Sequence, residues 1–207
     1  MKAAVEEPGP ALARECRAGC ALVVGNRGRS GIAAALLGSV SRTLAARADR
    51  PVVVPRGSHD NQATPAVRGR IVVGVGEGAA GSAAVRFARE EARRRGVALE
   101  AVRAWRRPAH ETGDHPLPAD DPARPQERHA DEILTEALRD TPPGVQVHRR
   151  TVEAPARRAL VDASHGADLL IVGSKRRTGH PGPSLGRIAH AALLHSVCPV
   201  AVVPQQA

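Results

Sequence analysis

Four residues near the start of the chain have the types and the spacing of a phosphate-binding loop. Gly25 and Gly28 lie three positions apart after a short apolar run, and Gly38 and Ser39 follow after a spacer of nine residues. Glycine lets a backbone turn sharply and approach a ligand closely, and the start of a helix offers N–H groups to an anion. The pattern predicts a phosphate site to which Arg27 adds positive charge. Glycines in such turns can also serve only to let the backbone turn, without binding a ligand, and that alternative stays open.

A second loop of the same spacing lies near the end of the sequence, with two of its positions changed. Gly173 and Gly186 match the first and third glycines, whereas Arg176 replaces the second glycine and Arg187 replaces the serine. These arginines and the neighbouring Lys175 could hold a phosphate or another polyanion by charge. The alternative is a site that has lost its ligand, in which the basic side chains are solvated.

The two loops belong to an internal repeat with a constant offset of 148 residues. Gly25 matches Gly173, Gly38 matches Gly186, and a proline followed by a valine-rich ending comes after each pair at the same distance. An offset that stays constant across separated features indicates duplication. The first copy holds only the C-terminal half of the repeated unit, and the second copy is complete.

Composition and charge argue against several classes of protein. The net charge of +9 comes almost entirely from arginine, and one Trp and one Phe are too few to stack on bases, so no nucleic-acid partner is expected. Three cysteines do not make a disulfide framework, and the histidine spacing does not indicate a metal site. No apolar run has the length of a membrane span, and the N-terminus lacks the apolar segment of a signal peptide. We therefore expect a cytoplasmic protein without membrane contact.

Apolar runs and helical periodicities alternate along the chain and predict an α/β fold. Continuous apolar runs of the kind found in buried parallel strands alternate with segments of helical periodicity. The predicted strands are 21–24, 52–54, 71–75, 99–105, 145–151, 168–172 and 199–203, and the predicted helices are 32–48, 82–95, 127–138, 155–164 and 185–195, with a further helix within 1–19. Short connections between these elements indicate a doubly wound sandwich with a five-stranded parallel sheet, plus a partial second copy. Ligands of such sheets bind at the carboxyl ends of the strands, at the switch point of the strand order.

The glycine pattern and its flanking strands resemble the universal stress protein (UspA) family. The pattern Gly25-x2-Gly28-x9-Gly38-Ser39 carries the resemblance in the first copy, and a Cys-Pro-Val ending supports it in the second. The resemblance implies a Rossmann-like fold of the adenine nucleotide alpha hydrolase-like type and, in one branch of the family, ATP as the ligand. It also implies self-association through the last strands, Val52–Val54 and Val200–Val203, within the chain or in a homodimer.

The complete copy departs from the pattern of the ATP-binding members. In those members the first strand ends in an aspartate that reaches the nucleotide, whereas Gly76 stands at that position here and Glu77 follows it. The first copy keeps all four residues of its loop but lacks the two leading strands that would form the adenine side of a pocket. Its glycines therefore identify the family better than they identify a working site.

Taken together, these features predict a truncated universal stress protein domain at 1–57, a linker at 58–69 and a complete domain at 70–207. The expected function is a non-enzymatic stress response with weak or vestigial ATP binding. The alternatives are an anion-binding or scaffold module that uses the arginine loop, and an ATP hydrolase of related fold, which the missing aspartate argues against. Ser164 and His165 lie near Asp162 but no nucleophile elbow surrounds them, so a capping or surface role is predicted and no catalytic residue is assigned.

Overall fold

Strands and helices alternate throughout the part of the chain that the structure describes. The computed structural model describes residues 11–12, 21–25, 38–55, 67–77, 79–107, 123–174 and 185–204. The strands are β1 (Leu22–Val23), β2 (Val52–Val54), β3 (Arg70–Gly74), β4 (Ala98–Trp105), β5 (Val147–Glu153), β6 (Leu169–Ser174) and β7 (Val200–Pro204). The helices are α1 (Ser39–Arg47), α2 (Ala79–Arg95), α3 (Ala123–Leu138), α4 (Ala156–Ala163) and α5 (Arg187–His195), and a 3-10 turn, Ser164–Gly166, follows α4.

All of these strands form one sheet in the order β1-β2-β7-β6-β3-β4-β5. The five strands from β7 to β5 are parallel and reverse their order at β3, which confirms the predicted doubly wound unit. The same sheet continues into the segment predicted as a partial copy, so it has two strands more than the five predicted for the complete copy. β2 pairs antiparallel with β7, and β1 pairs parallel with β2, so the sheet has seven strands.

Helices cover both faces of the sheet, which explains the unbroken apolar runs in its central strands. In β3, Ile71 and Val73 pack with α2 and α3 on one face, while Val72 packs with α4 and α5 on the other. All three side chains are fully buried. A strand that is buried on both faces needs apolar residues at every position, and this is the pattern that predicted a parallel sheet.

The segment that holds β2 and α1 packs on the rest of the described chain. Val52 lies opposite Val202 and Val54 opposite Val200, so the two predicted last strands pair within one chain. Val52, Val54 and Leu44 of α1 are at most 1% exposed and belong to the same apolar cluster as the core of the complete copy. Each such side chain contributes about 1.5–3 kcal/mol relative to solvent exposure. The two copies therefore share one core.

Most element boundaries follow the sequence pattern, and the exceptions have local causes. α2 ends where Gly96 takes φ +64, a conformation that glycine adopts without strain. α2 and α3 begin earlier than predicted, at Ala79 and Ala123. α5 begins only at Arg187, because Gly186 is extended with φ −60 and ψ 150. Of the helix predicted within 1–19, only positions 11–12 lie among the described residues, where they are helical. Most of the linker predicted at 58–69 lies outside them, as do most of residues 106–125, which the sequence predicts to form a long solvent-exposed loop.

None of the described helices is both long and apolar enough to cross a membrane.

Candidate functional site

A cleft of about 1070 Å³ opens at the carboxyl ends of β3, β4 and β6. This is the place where the strand order reverses, and where the sequence predicted a ligand. β3 lies between β4 and β6. The connections that follow β3 and β6 therefore run to opposite sides, which leaves a crevice at the carboxyl ends of these strands. The start of α5 and one face of α4 close the sides. The described residues that line the cleft are Gly74–Glu77, Val102–Ala104, Ala156, Leu160, Val172, Gly173 and Leu185–Ala189.

The start of α5 brings an uncapped helix terminus to this cleft. Gly186 precedes the helix, no side chain of a described residue caps it, and no acidic residue lies in its first turn. A Cβ atom built on Gly186 would meet no atom of a described residue within 4 Å, so none of the described residues blocks the approach to the helix terminus. The exposed Arg187 adds a positive charge beside it. Backbone N–H groups, the helix dipole and a guanidinium together can hold an anion.

The structure therefore brings together three of the five residues predicted for the second loop. Gly173, Gly186 and Arg187 line the cleft. Lys175 and Arg176 lie outside the described residues.

Two glycines near the end of β3, Gly74 and Gly76, have different space around their Cα atoms. A Cβ atom on Gly74 would lie 2.7 Å from Leu160 Cδ1, so a side chain there would displace the Leu160 side chain of α4. Gly76 has nothing within 4 Å of the corresponding position. With respect to the described residues, a side chain at Gly76 would therefore project into open space beside the cleft.

Arg103 is a cleft residue that the sequence interpretation missed. Its Nη2 donates a hydrogen bond of 2.6 Å to Glu77 Oε1, and its Nη1 donates one of 3.2 Å to the Val75 carbonyl oxygen. The Arg103 side chain is 17% exposed and that of Glu77 is 69% exposed. A charged residue near the carboxyl end of an apolar strand was the available signal, because that end of the sheet is where ligands bind.

Gly25 and Gly38, the described ends of the first glycine pattern, have a different environment. Gly38 precedes α1 as an extended residue, and neither Ser39 nor any other side chain caps the helix. The buried Ser41 donates a hydrogen bond of 2.7 Å to the Gly25 carbonyl oxygen and so ties the loop to the helix. β1 pairs with β2 and with no other described strand. Arg27 and Gly28 lie outside the described residues.

The Ser164 hydroxyl has a structural role. It donates to the Val161 carbonyl oxygen at 2.6 Å and accepts from the Val197 N–H at 3.2 Å, and it is fully buried. It therefore joins the end of α4 to the chain that enters β7. Among the described residues no group of three His, Cys, Asp or Glu side chains could hold a metal ion.

Comparison with known proteins identifies a family. The model of the Universal stress protein family matches residues 4–56 and 68–204. A universal stress protein of Mycolicibacterium smegmatis is 36% identical over 185 residues, which cover 88% of this chain and 60% of that protein. One of Mycobacterium tuberculosis is 37% identical over 188 residues, which cover 89% of this chain and 61% of that protein.

A solved structure has the same fold. The crystal structure of a universal stress protein from Archaeoglobus fulgidus superposes with a TM-score of 0.69 at 19% identity, and the match covers 97% of this chain and 68% of that one.

The fold and the family match define the class, an α/β protein of the universal stress type. The chain belongs to the universal stress protein family. It spans about three-fifths of the length of the curated relatives that it matches.

Proposed function

We propose that the chain is a non-enzymatic stress-response protein whose complete domain binds ATP, or a related adenine nucleotide, weakly in the cleft above β3, β4 and β6. The observation that carries the proposal is the open, uncapped start of α5 at Gly186, which lies in this cleft with Arg187 beside it. The phosphates would lie against this helix terminus. The nucleoside would extend toward the ends of β3 and β4.

Weak binding is expected because the site lacks contacts that the family resemblance implies. Glycine at position 76 provides no carboxylate at the end of β3. Arginine replaces serine at position 187, so the start of α5 provides no hydroxyl there. Arginine at this position can still bind phosphate by charge, but an exposed charge contributes only about 1 kcal/mol or less.

The proposal includes a division of the chain into domains. We propose that 1–57 is a partial copy, 58–69 a linker and 70–207 the complete domain that carries the site. The pairing of β2 with β7 gives the last strand of the complete domain its partner within the same chain. The proposed self-association of the last strands is then internal, and pairing of β7 with a second copy would first require β2 to leave.

A second candidate is an anion-binding module without nucleotide specificity. The charge of the cleft favours it, because Arg103 and Arg187 line the cleft while Glu77 is the one acidic side chain among its described lining residues. Such a module would bind heparin as well as ATP.

Calorimetric titration of the full chain with ATP, AMP and heparin, together with an assay for phosphate release, tests both candidates. Binding of ATP without turnover, and without comparable binding of heparin, is the expected result. Comparable binding of all three compounds would instead support the anion-binding module, and steady phosphate release would contradict the non-enzymatic assignment.

A further inference from the structure

A side compartment of about 580 Å³ adjoins the cleft between the end of β4, the helix α3 and the start of α4. The two spaces are continuous, because they share six lining residues: Glu77, Arg103, Ala104, Ala156, Arg187 and Ile188. None of the residues of the glycine loops except Arg187 lines the side compartment among the described residues. This compartment therefore extends the site away from the phosphate loop that the sequence singled out.

The side compartment is strongly basic. Four arginines, Arg103, Arg106, Arg157 and Arg187, line it, and Glu77 is the one acidic side chain among its described lining residues. A concave surface with one sign of charge and apolar walls concentrates the electrostatic field and attracts ligands of the opposite sign. The charge of this compartment favours an anionic ligand.

The start of α4, which lies in this compartment, carries partial positive charge and so has the same sign of charge as the arginines. The compartment is lined by Ala154–Arg157, which includes the start of the eight-residue helix α4. No side chain caps α4, and no acidic residue lies in its first turn. The positive end of the helix dipole therefore adds to the charge of the arginines.

Arg103 lies where the two spaces meet, and its hydrogen bonding is incomplete. Its Nε atom is buried and makes no hydrogen bond with any described residue. The Nε and Nη2 hydrogens point from the same edge of the guanidinium, and Glu77 Oε1 accepts only from Nη2, at 2.6 Å. A buried donor without a partner is costly. A ligand with two oxygens side by side could accept from both nitrogens in the bidentate manner that arginine favours.

We propose that the side compartment is an oxyanion site, in which Arg103 binds a phosphoryl group and Glu77 is the internal counter-ion that this group displaces. Glu77 can leave readily, because its side chain is 69% exposed, while Arg103 is held in place by the Val75 carbonyl oxygen. The ligand class is an organic or inorganic phosphate that carries adjacent phosphoryl oxygens. The proposal rests on the proposed function only in that the ligand enters the same cleft.

Inorganic pyrophosphate is the probe that separates this site from a nucleotide pocket, because it has no nucleoside. Calorimetric titration of pyrophosphate into the full chain, and into its E77Q, R103Q and R103K variants, tests the proposal. E77Q should raise the affinity by up to about fivefold, because the competing carboxylate is gone. R103Q should lower it about tenfold or more, and R103K should recover only part of the loss, because lysine keeps the charge without the bidentate edge.

Glu153 supplies the matched control for E77Q. It pairs with Arg107 at 3.3 Å, its side chain is 45% exposed, and it lines neither space. E153Q changes the net charge by the same amount and should leave the affinity for pyrophosphate unchanged. The double variant E77Q/R103Q should lose the gain that E77Q produces alone, because the carboxylate acts through Arg103.

The outcomes distinguish the oxyanion site from the nucleotide site. An E77Q variant that binds pyrophosphate like the wild type, or that gains no more than E153Q, would overturn the oxyanion site even where ATP binds. Pyrophosphate binding with the expected response to E77Q and R103K, in a chain that does not bind ATP, would support the oxyanion site and contradict the nucleotide proposal. Since E77Q alters an exposed side chain, this test does not depend on whether R103Q folds.

Discussion

The segment β1–α1–β2 and the segment β6–α5–β7 have the same backbone plan but different neighbours. Both helices have nine residues, and the glycines before them have nearly the same conformation, φ −57 and ψ 145 at Gly38 and φ −60 and ψ 150 at Gly186. Each helix is followed by a residue in an extended conformation, Ala48 after α1 and Ser196 after α5. The repeat that the sequence indicated is thus also a repeat of the local structure.

The difference lies in the strand beside each loop. β6 pairs with β7 on one side and with β3 on the other, so the carboxyl end of β6 lies at a cleft whose other wall is formed by β3 and β4. Among the described strands β1 has one neighbour, β2. The copy with the better preserved loop lacks this second wall in the described structure, and the copy with the cleft has a changed loop. A phosphate-loop pattern and a binding cleft are therefore separable features of this fold.

The largest expected effect tests whether the two segments belong to one cooperative unit. Leu44 of α1 is fully buried in the core cluster that both segments share. Leu44→Ala should lower the free energy of unfolding by about 2–5 kcal/mol. Trp105 is the one Trp of the chain and lies at the end of β4 in the complete domain, so its fluorescence during urea unfolding reports the effect at a distance from the mutation.

Val23→Ala is the matched control in the same segment, because Val23 is 65% exposed. It should change the stability by less than about 0.5 kcal/mol. A Leu44→Ala variant whose Trp105 transition stays at the wild-type urea concentration, while the circular dichroism shows a separate early transition, would show that the first segment unfolds on its own.

A smaller effect is expected from restoring a carboxylate at the end of β3. Gly76→Asp places a side chain in open space and should raise the affinity for ATP about tenfold, if the site is of the kind that the family resemblance implies. The same substitution should lower the affinity for heparin, because it adds a negative charge to a basic cleft. Fluorescence or calorimetric titration with both ligands measures the two responses.

Gly25→Asp is the control in the first segment, where a Cβ atom likewise meets nothing within 4 Å. It should leave ATP binding unchanged. Lower affinity for ATP in Gly76→Asp would favour the anion-binding module over the nucleotide site.

The smallest expected effect concerns the hydrogen bond that distinguishes the first loop. Ser41→Ala removes the 2.7 Å bond to the Gly25 carbonyl oxygen and should lower the stability by about 0.5–1.5 kcal/mol. Ser39→Ala, at an exposed residue that does not cap α1, should cost less than about 0.5 kcal/mol. Equal urea midpoints for the two variants would mean that the Ser41 hydroxyl does not stabilise the loop.

The fold was predictable from sequence because its buried strands leave a distinct pattern. The run from Ile71 to Val75 is apolar at every position, since helices cover both of its faces. Gly96 marked the end of α2 because its φ of +64 suits glycine. The extension of the sheet was harder to predict in full, because the seven-stranded order depends on β2 meeting the free edge of β7.

The candidate site was predictable only in part. The cleft position followed from the switch-point rule, but the pairing of Glu77 with Arg103 did not. These residues are 26 positions apart and meet because β3 and β4 are parallel neighbours in the register that sets Gly74 opposite Val102. The tie between Ser41 and Gly25 depends likewise on how α1 packs against β1. Contacts of this kind arise from register and packing, which a periodic sequence pattern does not encode.

The central claim is that the complete domain, and not the better preserved loop of the first segment, holds the ligand. Calorimetric titration of ATP into the wild type, Arg187→Gln and Ser39→Ala tests it most directly. Arg187→Gln should lower the affinity about fivefold, as expected for one exposed charge next to a phosphate, and Ser39→Ala should bind ATP like the wild type. Loss of binding in Ser39→Ala, with unchanged binding in Arg187→Gln, would contradict the claim and place the ligand at the first loop.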